Sequence, residues 1–97
     1  MRWEQGRPRI ERMLTDGELQ RIPPRRPHAD RLLGQARAHL ASAAAIYTDD
    51  PQGGYALAYD AARKALMAVL ENQGLRPTSR GGHLAAMEAT RAQLDPP

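Results

Sequence analysis

Apolar residues recur along this chain at three- and four-residue intervals, and that spacing predicts helices joined by short polar turns. The clearest stretch runs from Gly54 to Leu94. Within it Tyr55, Ala58, Tyr59, Ala62, Leu66, Val69 and Leu70 draw one stripe along a helix over residues 55–73. Ala58 and Ala62 keep part of the stripe small enough for a partner helix to come close, and Leu66, at its middle, is expected in the core. Gly74 should end the helix by taking the left-handed conformation after the last turn, with Leu75 placed for the accompanying apolar contact.

An earlier helix is predicted over 28–47, where Leu32, Leu33, Ala36, Leu40, Ala43, Ala44 and Tyr47 keep helical spacing and Arg31, Gln35, Arg37 and Ser42 fall largely off the stripe. The turn-favouring run Asp49-Asp50-Pro51-Gln52-Gly53-Gly54 breaks it. A third helix over 82–94 should bury Leu84, Met87, the aliphatic stem of Arg91 and Leu94, and Asp95-Pro96-Pro97 ends it. Before these, Pro8 can open a short helix carrying Ile10, Met13 and Leu14. Thr15-Asp16-Gly17-Glu18 has the spacing of a capping box and predicts a second short turn with Thr15 as N-cap. Pro23-Pro24 stops that turn, and Arg25-Arg26-Pro27 continues as an extended basic linker. Residues 1–27 thus read as a basic arm docking through Trp3, Ile10, Leu14, Leu19 and Ile22, and residues 28–97 as the bundle, within one domain.

Composition agrees with an all-α chain. Its 97 residues allow one modest core. Trp3, Tyr47, Tyr55 and Tyr59 are all its aromatics, so alanine, leucine and methionine must fill the interior, which suits close-packed helices. The β-branched residues are too scattered to write a strand. The expected fold is a small up-and-down bundle of three core helices with a short helical N-terminal arm. Without cysteine there are no disulfides or thiolate metal sites, and a reducing cytoplasm is the expected setting. No apolar run reaches the roughly 20 residues of a membrane span, and the charged start MRWEQGRPRIE lacks the apolar centre of a signal peptide. The formal charge of +3 arises in residues 1–31, where eight arginines face five acids; the remainder balances six bases with six acids. That excess is thin for a dedicated nucleic-acid binder.

Three segments carry a family resemblance: Tyr59-Asp60-Ala61-Ala62-Arg63-Lys64-Ala65-Leu66, the exit Glu71-Asn72-Gln73-Gly74-Leu75-Arg76-Pro77, and Arg80-Gly81-Gly82-His83-Leu84 opening the next helix. Over residues 28–94 the chain resembles the central helical hairpin of HEPN (higher eukaryote and prokaryote nucleotide-binding) domains, small helical bundles of bacterial toxin–antitoxin and defence systems. The resemblance implies action through protein–protein contact, as a homodimer and beside a nucleotidyltransferase-type partner protein. It also implies a further helix after Leu94, which in the ribonuclease members carries an Arg-x4–6-His motif. Without it one flank of the bundle stays uncovered, to be filled by the arm or by a second subunit, or else the chain is a piece of a longer protein.

Arg76 and His83 formally satisfy the same motif, with six residues between them. A histidine can serve as general base on an RNA 2′-hydroxyl while an arginine holds the phosphate. Arg21 and His28 match that spacing too, so the match is cheap, and Arg76 and His83 precede the third helix instead of following it. The loop also has a binding reading. Arg76, Ser79 and Arg80 lead into a helix N-terminus, where free N–H groups favour phosphate or RNA backbone, with Arg63 on the preceding helix as a further cation. The competing reading is a plain interhelical turn. Tyr59 and Arg63 share a helix face, and Asp60 and Lys64 make an ordinary i,i+4 ion pair. His39 has no second ligand at helical spacing, so no metal is expected, and without a glycine-rich fingerprint no cofactor is expected. Three functions follow in order: a HEPN-like interaction domain of a prokaryotic toxin–antitoxin or defence-type module, a HEPN-type metal-independent ribonuclease toxin, and a small nucleic-acid-binding regulator.

Overall fold

Three prolines set where helices begin. Pro8, Pro27 and Pro51 each occupy the first turn of a helix, where the missing N–H has no intrahelical partner to lose. The computed structural model describes residues 4–94 and places in them, in order, α1 (Arg7–Thr15), β1 (Leu19–Arg21), α2 (Arg26–Ile46), α3 (Pro51–Asn72), β2 (Leu75–Pro77) and α4 (Gly82–Leu94). The all-α expectation holds apart from one short ribbon. Arg26-Pro27, expected as extended linker, is instead the first turn of α2. At α3 the Asp50 carboxylate caps the helix by accepting from the Gly53 N–H at 3.0 Å.

The expected capping box at Thr15 is not formed. Thr15 is the last residue of α1, and its hydroxyl donates to the Glu11 carbonyl at 3.0 Å. Gly17, at φ +77°, closes the helix: its N–H reaches the Leu14 carbonyl and the Glu18 N–H reaches the Met13 carbonyl. That pair of bonds is a helix stop. The chain then extends into β1 instead of a second helical turn. β1 pairs antiparallel with β2, Leu19 opposite Pro77, Gln20 opposite Arg76 and Arg21 opposite Leu75. Gly74 takes the left-handed conformation expected of it at φ +77° and accepts from the Ile22 N–H at 2.9 Å, extending the ribbon by one bond.

α2 and α3 form an antiparallel hairpin turned over residues 47–50. Its seam is built from the smallest side chains. Ala29, Ala36 and Ala43 are buried on α2, and Gly54, Ala61 and Ala68 on α3, each set at seven-residue intervals. A seven-residue repeat keeps one edge of each helix on its partner, and alanine or glycine there draws the axes together. At the turn end a Cβ added to Gly54 would lie 2.7 Å from the Tyr47 Cβ. The larger residues of the two expected stripes are therefore displaced outward. Leu40, Tyr47, Tyr55 and Tyr59 are all exposed, and Leu66 is only half-buried.

The main core lies at the open end of the hairpin. Ile10 and Met13 of α1, Leu19 of β1, Leu70 of α3, Leu75 of β2, and Ala85, Ala86 and Ala89 of α4 make one buried cluster. The N-terminal arm thus supplies core residues: Ile10 and Leu19 are buried as expected, Leu14 and Ile22 only partly, and Met13 joins them. Trp3 lies outside the described residues. An ion pair between Arg9 and Glu88 at 3.1 Å ties α1 to α4 across the rim. Helix α4 keeps its expected bounds and turns the opposite face inward. Ala85, Ala86, Ala89, Thr90 and Gln93 are buried, while Leu84, Met87 and Leu94 are exposed and Arg91 stands among them. The small face wins because it lets α4 sit close against both α1 and α3.

Urea denaturation tests this division. Ile10→Ala should cost about 2–5 kcal/mol as a core truncation, and Ala61→Leu about 1–3 kcal/mol by forcing the seam apart. Leu84→Ala should change stability by less than about 0.5 kcal/mol. A cost for Leu84→Ala matching that of Ile10→Ala would place α4 the other way round.

Candidate functional site

A shallow groove of about 220 Å³ opens where α3 meets the start of α4, lined by Arg63, Met67, Pro77, Thr78, Ser79, Gly82, His83 and Ala86. Arg63 and Met67 come from successive turns of α3, and His83 from the first turn of α4. Thr78 fixes the loop between them. Its hydroxyl donates to the Gly17 carbonyl at 2.6 Å and accepts from the Gly81 N–H at 3.2 Å, while the Gly82 N–H reaches the Thr78 carbonyl. The connection is therefore held to the α1–β1 turn. At the groove mouth Tyr59 meets His83 edge to face, with ring centroids 5.9 Å apart, and Tyr55 lies 6.3 Å further along α3 from Tyr59.

Beside Tyr59 the hairpin carries a polar cluster. Asp60 Oδ1 accepts from Arg63 at 2.6 and 3.0 Å, and Asp60 Oδ2 lies 3.4 Å from Lys64 Nζ. From the facing helix, His39 Nε2 lies 2.8 Å from Lys64 Nζ and 3.4 Å from Asp60 Oδ2. An ammonium can only donate, so the short contact assigns His39 Nε2 as acceptor and leaves the ring proton on Nδ1. The hydrogen bonds from Arg63 hold the Asp60 carboxyl below its ordinary 3.8; partial desolvation opposes this, and Lys64 adds to the lowering.

The residues singled out by sequence are divided by the fold. Arg63, Ser79 and His83 line the same groove. Arg76 stands on β2 opposite Gln20 with its side chain in solvent, and Arg80 is exposed on the turn; neither lines the groove. Arg63 is committed to Asp60, and Thr78 to its own loop. His83 remains as the exposed titratable group of the groove.

Sequence reasoning passed over two features. His39 was assigned no partner along its own helix, and its partners come from α3; only the pairing of α2 with α3 brings them together. The Tyr59–His83 contact likewise spans two helices. Among the described residues no group of three or more His, Cys, Asp or Glu side chains is placed to hold a metal ion.

The lowered Asp60 has a pH signature. A carboxyl whose pKa falls on folding adds stability that is present above its unfolded value and is lost as the pH falls through the folded one. The stability advantage of the native chain over Asp60→Asn should hold at about pH 7 and about pH 5 and shrink below about pH 4. Denaturant titrations at those values measure it. An advantage undiminished at about pH 2.5 would mean that the Arg63 contact does not form in solution.

No helix among the described residues is long and apolar enough to cross a membrane. No protein-family model, curated protein or solved structure matches this chain, so its function has to be argued from the chemistry of its own surface.

Proposed function

We propose that this chain is a HEPN-like helical domain of the kind found in prokaryotic toxin–antitoxin or defence-type modules, acting by protein–protein contact through an exposed apolar surface. The observation that carries the reading is the inversion of burial. Tyr47, Tyr55 and Tyr59 are 62, 72 and 50 % exposed, and Leu40, Leu84, Met87 and Leu94 join them, while alanines fill much of the interior. Exposed apolar surface of this kind marks interaction sites. Aromatic residues and methionine are also the types enriched where partners dock. The reading includes a homodimer, with a nucleotidyltransferase-type protein as a second partner.

The ribonuclease alternative has less support. Catalysis on RNA requires the base within hydrogen-bond reach of the 2′-hydroxyl and a cation on the phosphate, and Arg76 stands apart from the groove that holds His83. The basic residues of the loop and arm favour phosphate contact of a general kind. Arg7, Arg9, Arg21 and Arg26 are spent on ion pairs with Glu4, Glu88, Glu11 and Asp30, which weakens the case for a dedicated nucleic-acid regulator.

Two measurements test the reading. Sedimentation at micromolar concentration should show a species larger than the monomer. Purified protein incubated with mixed single-stranded RNA should leave it intact, with no difference between the native chain and His83→Ala. Any RNA retention should fall steeply with added salt, as phosphate contacts do. Cleavage that vanishes in His83→Ala would overturn the order of the readings and make the groove an active site.

A further inference from the structure

The turn end of the hairpin carries a groove lined by α2 and α3 alone. Its volume is about 420 Å³, and it runs from Leu40 to Tyr47 on one side and from Pro51 to Ala58 on the other. A run of that length rises about 10 Å along a helix, as far as about three residues of extended chain. Ala43 and Gly54, both buried, make a floor without polar side chains. Tyr47 and Tyr55 stand above it on opposite helices, both largely exposed. The shape comes from the seam: helices joined through alanine and glycine leave a shallow floor, and the two tyrosines supply its walls.

The charge around this groove is one-sided. Residues 38–62 contain Asp49, Asp50 and Asp60 and no lysine or arginine, in a chain whose formal net charge is +3. Asp60 is neutralised by Arg63 and Lys64. Asp49 and Asp50, exposed at the turn between Tyr47 and Pro51, enter no ion pair among the described residues. The Gly53 N–H holds one Asp50 oxygen and so fixes that carboxylate at the start of α3. An apolar groove ending in two uncompensated carboxylates narrows the choice of occupant. A wholly apolar segment would desolvate the acids without pairing them, and a phosphate-bearing partner would be repelled. Arginine meets every part of the site. Its stem lies on apolar surface, its guanidinium stacks on a phenol ring, and its fork pairs a carboxylate through two hydrogen bonds. Lysine offers the charge without the flat face.

We propose that the groove binds a short extended segment of a partner protein, with an arginine pairing to Asp49 and Asp50 at the turn and apolar residues, proline among them, lying along the floor toward Leu40. The proposal rests on the interaction-domain reading and assigns the recognition chemistry of one partner. Proline suits the floor because a segment that is already extended loses little conformational freedom on docking. The backbones of α2 and α3 are spent on their own helices, so affinity comes from side chains, as it does in other aromatic-lined grooves that take proline-rich segments.

Chemical-shift titration of this chain tests the proposal with two capped peptides, acetyl-Pro-Leu-Pro-Leu-Arg-amide and acetyl-Arg-Leu-Pro-Leu-Pro-amide, which present the cation at either end. At least one should bind with a Kd of about 500 µM or tighter and shift the amides of Ala43, Ala44, Tyr47, Tyr55 and Ala58. Glutamate in place of the arginine should weaken binding at least about tenfold, and lysine about threefold. Tyr47→Ala and Tyr55→Ala should each weaken it about fivefold. Alanine at 47 keeps the Cβ that faces Gly54, so the helical circular dichroism should not change. Asp49→Asn with Asp50→Asn should weaken binding about tenfold and preserve the helix cap, because asparagine caps as well as aspartate. Three results overturn the proposal: no saturation by either peptide up to about 5 mM, an equal response to the glutamate peptide, or shifts centred on Leu84 and Met87. Sedimentation without peptide tests the interaction reading separately. A chain that dimerises and ignores both peptides loses only this assignment of the groove, whereas a monomer that binds them keeps it.

Discussion

The close approach of α2 and α3 governs the rest of the molecule. Two helices that meet through alanine and glycine at every seventh position cannot also enclose leucines and tyrosines along the same edge. The seam from Ala29 to Ala43 and from Gly54 to Ala68 therefore fixes which way each larger side chain faces. At the open end, where α1, the ribbon and α4 close around α3, Leu70 finds full burial. At the turn end α2 packs on α3 with no third layer, and Leu40, Tyr47 and Tyr55 are left outside. Core and exposed surface are two results of a single packing choice.

The same choice shapes the polar cluster. His39 and Lys64 come within 2.8 Å because the backbones behind them are held together by small residues. Asp60 then serves Arg63 and Lys64 on its own helix and faces His39 across the seam. In a wider bundle these groups would be separately solvated. Here they form a partly desolvated set at the boundary between seam and surface, beside Tyr59.

Much of the helical layout was legible from local chemistry. The bounds of α4, the stop at Gly74 and the opening of the break at Asp49-Asp50 follow from glycine, proline and capping residues, whose preferences are decided within a few positions, whereas Pro51-Gln52-Gly53-Gly54, expected to continue the break, is the first turn of α3. The inward faces were harder to read. In α3 two stripes satisfy helical spacing, one of tyrosine and leucine and one of alanine and glycine, and transfer hydrophobicity favours the first. Packing geometry favours the second, and that depends on a partner helix. The same substitution of criteria turned α4 by about half a rotation, from Leu84 and Met87 to Ala85 and Ala89. The ribbon was hidden for another reason: three residues per strand give no period to detect, and each strand is stabilised by a partner far away in the chain. Of the groove, Arg63, Ser79 and His83 could be named from sequence, whereas the separation of Arg76 from them depends on the register of β1 against β2.

That register has a consequence for how the chain comes together. Pairing Leu19 with Pro77 closes a loop that contains the whole of α2 and α3, and the entropy of closing a loop grows with its length. The hairpin shortens the problem before the ribbon meets it. Once α2 lies against α3, His28 near the start of one is within 3.7 Å of Glu71 near the end of the other, and only the few residues on either side still have to be brought together. Local helix pairing forms faster than distant strand pairing. The order of assembly is thus written into the topology: the hairpin forms as a self-contained unit, and the ribbon then recruits α1 and α4 from opposite ends of the chain into one core.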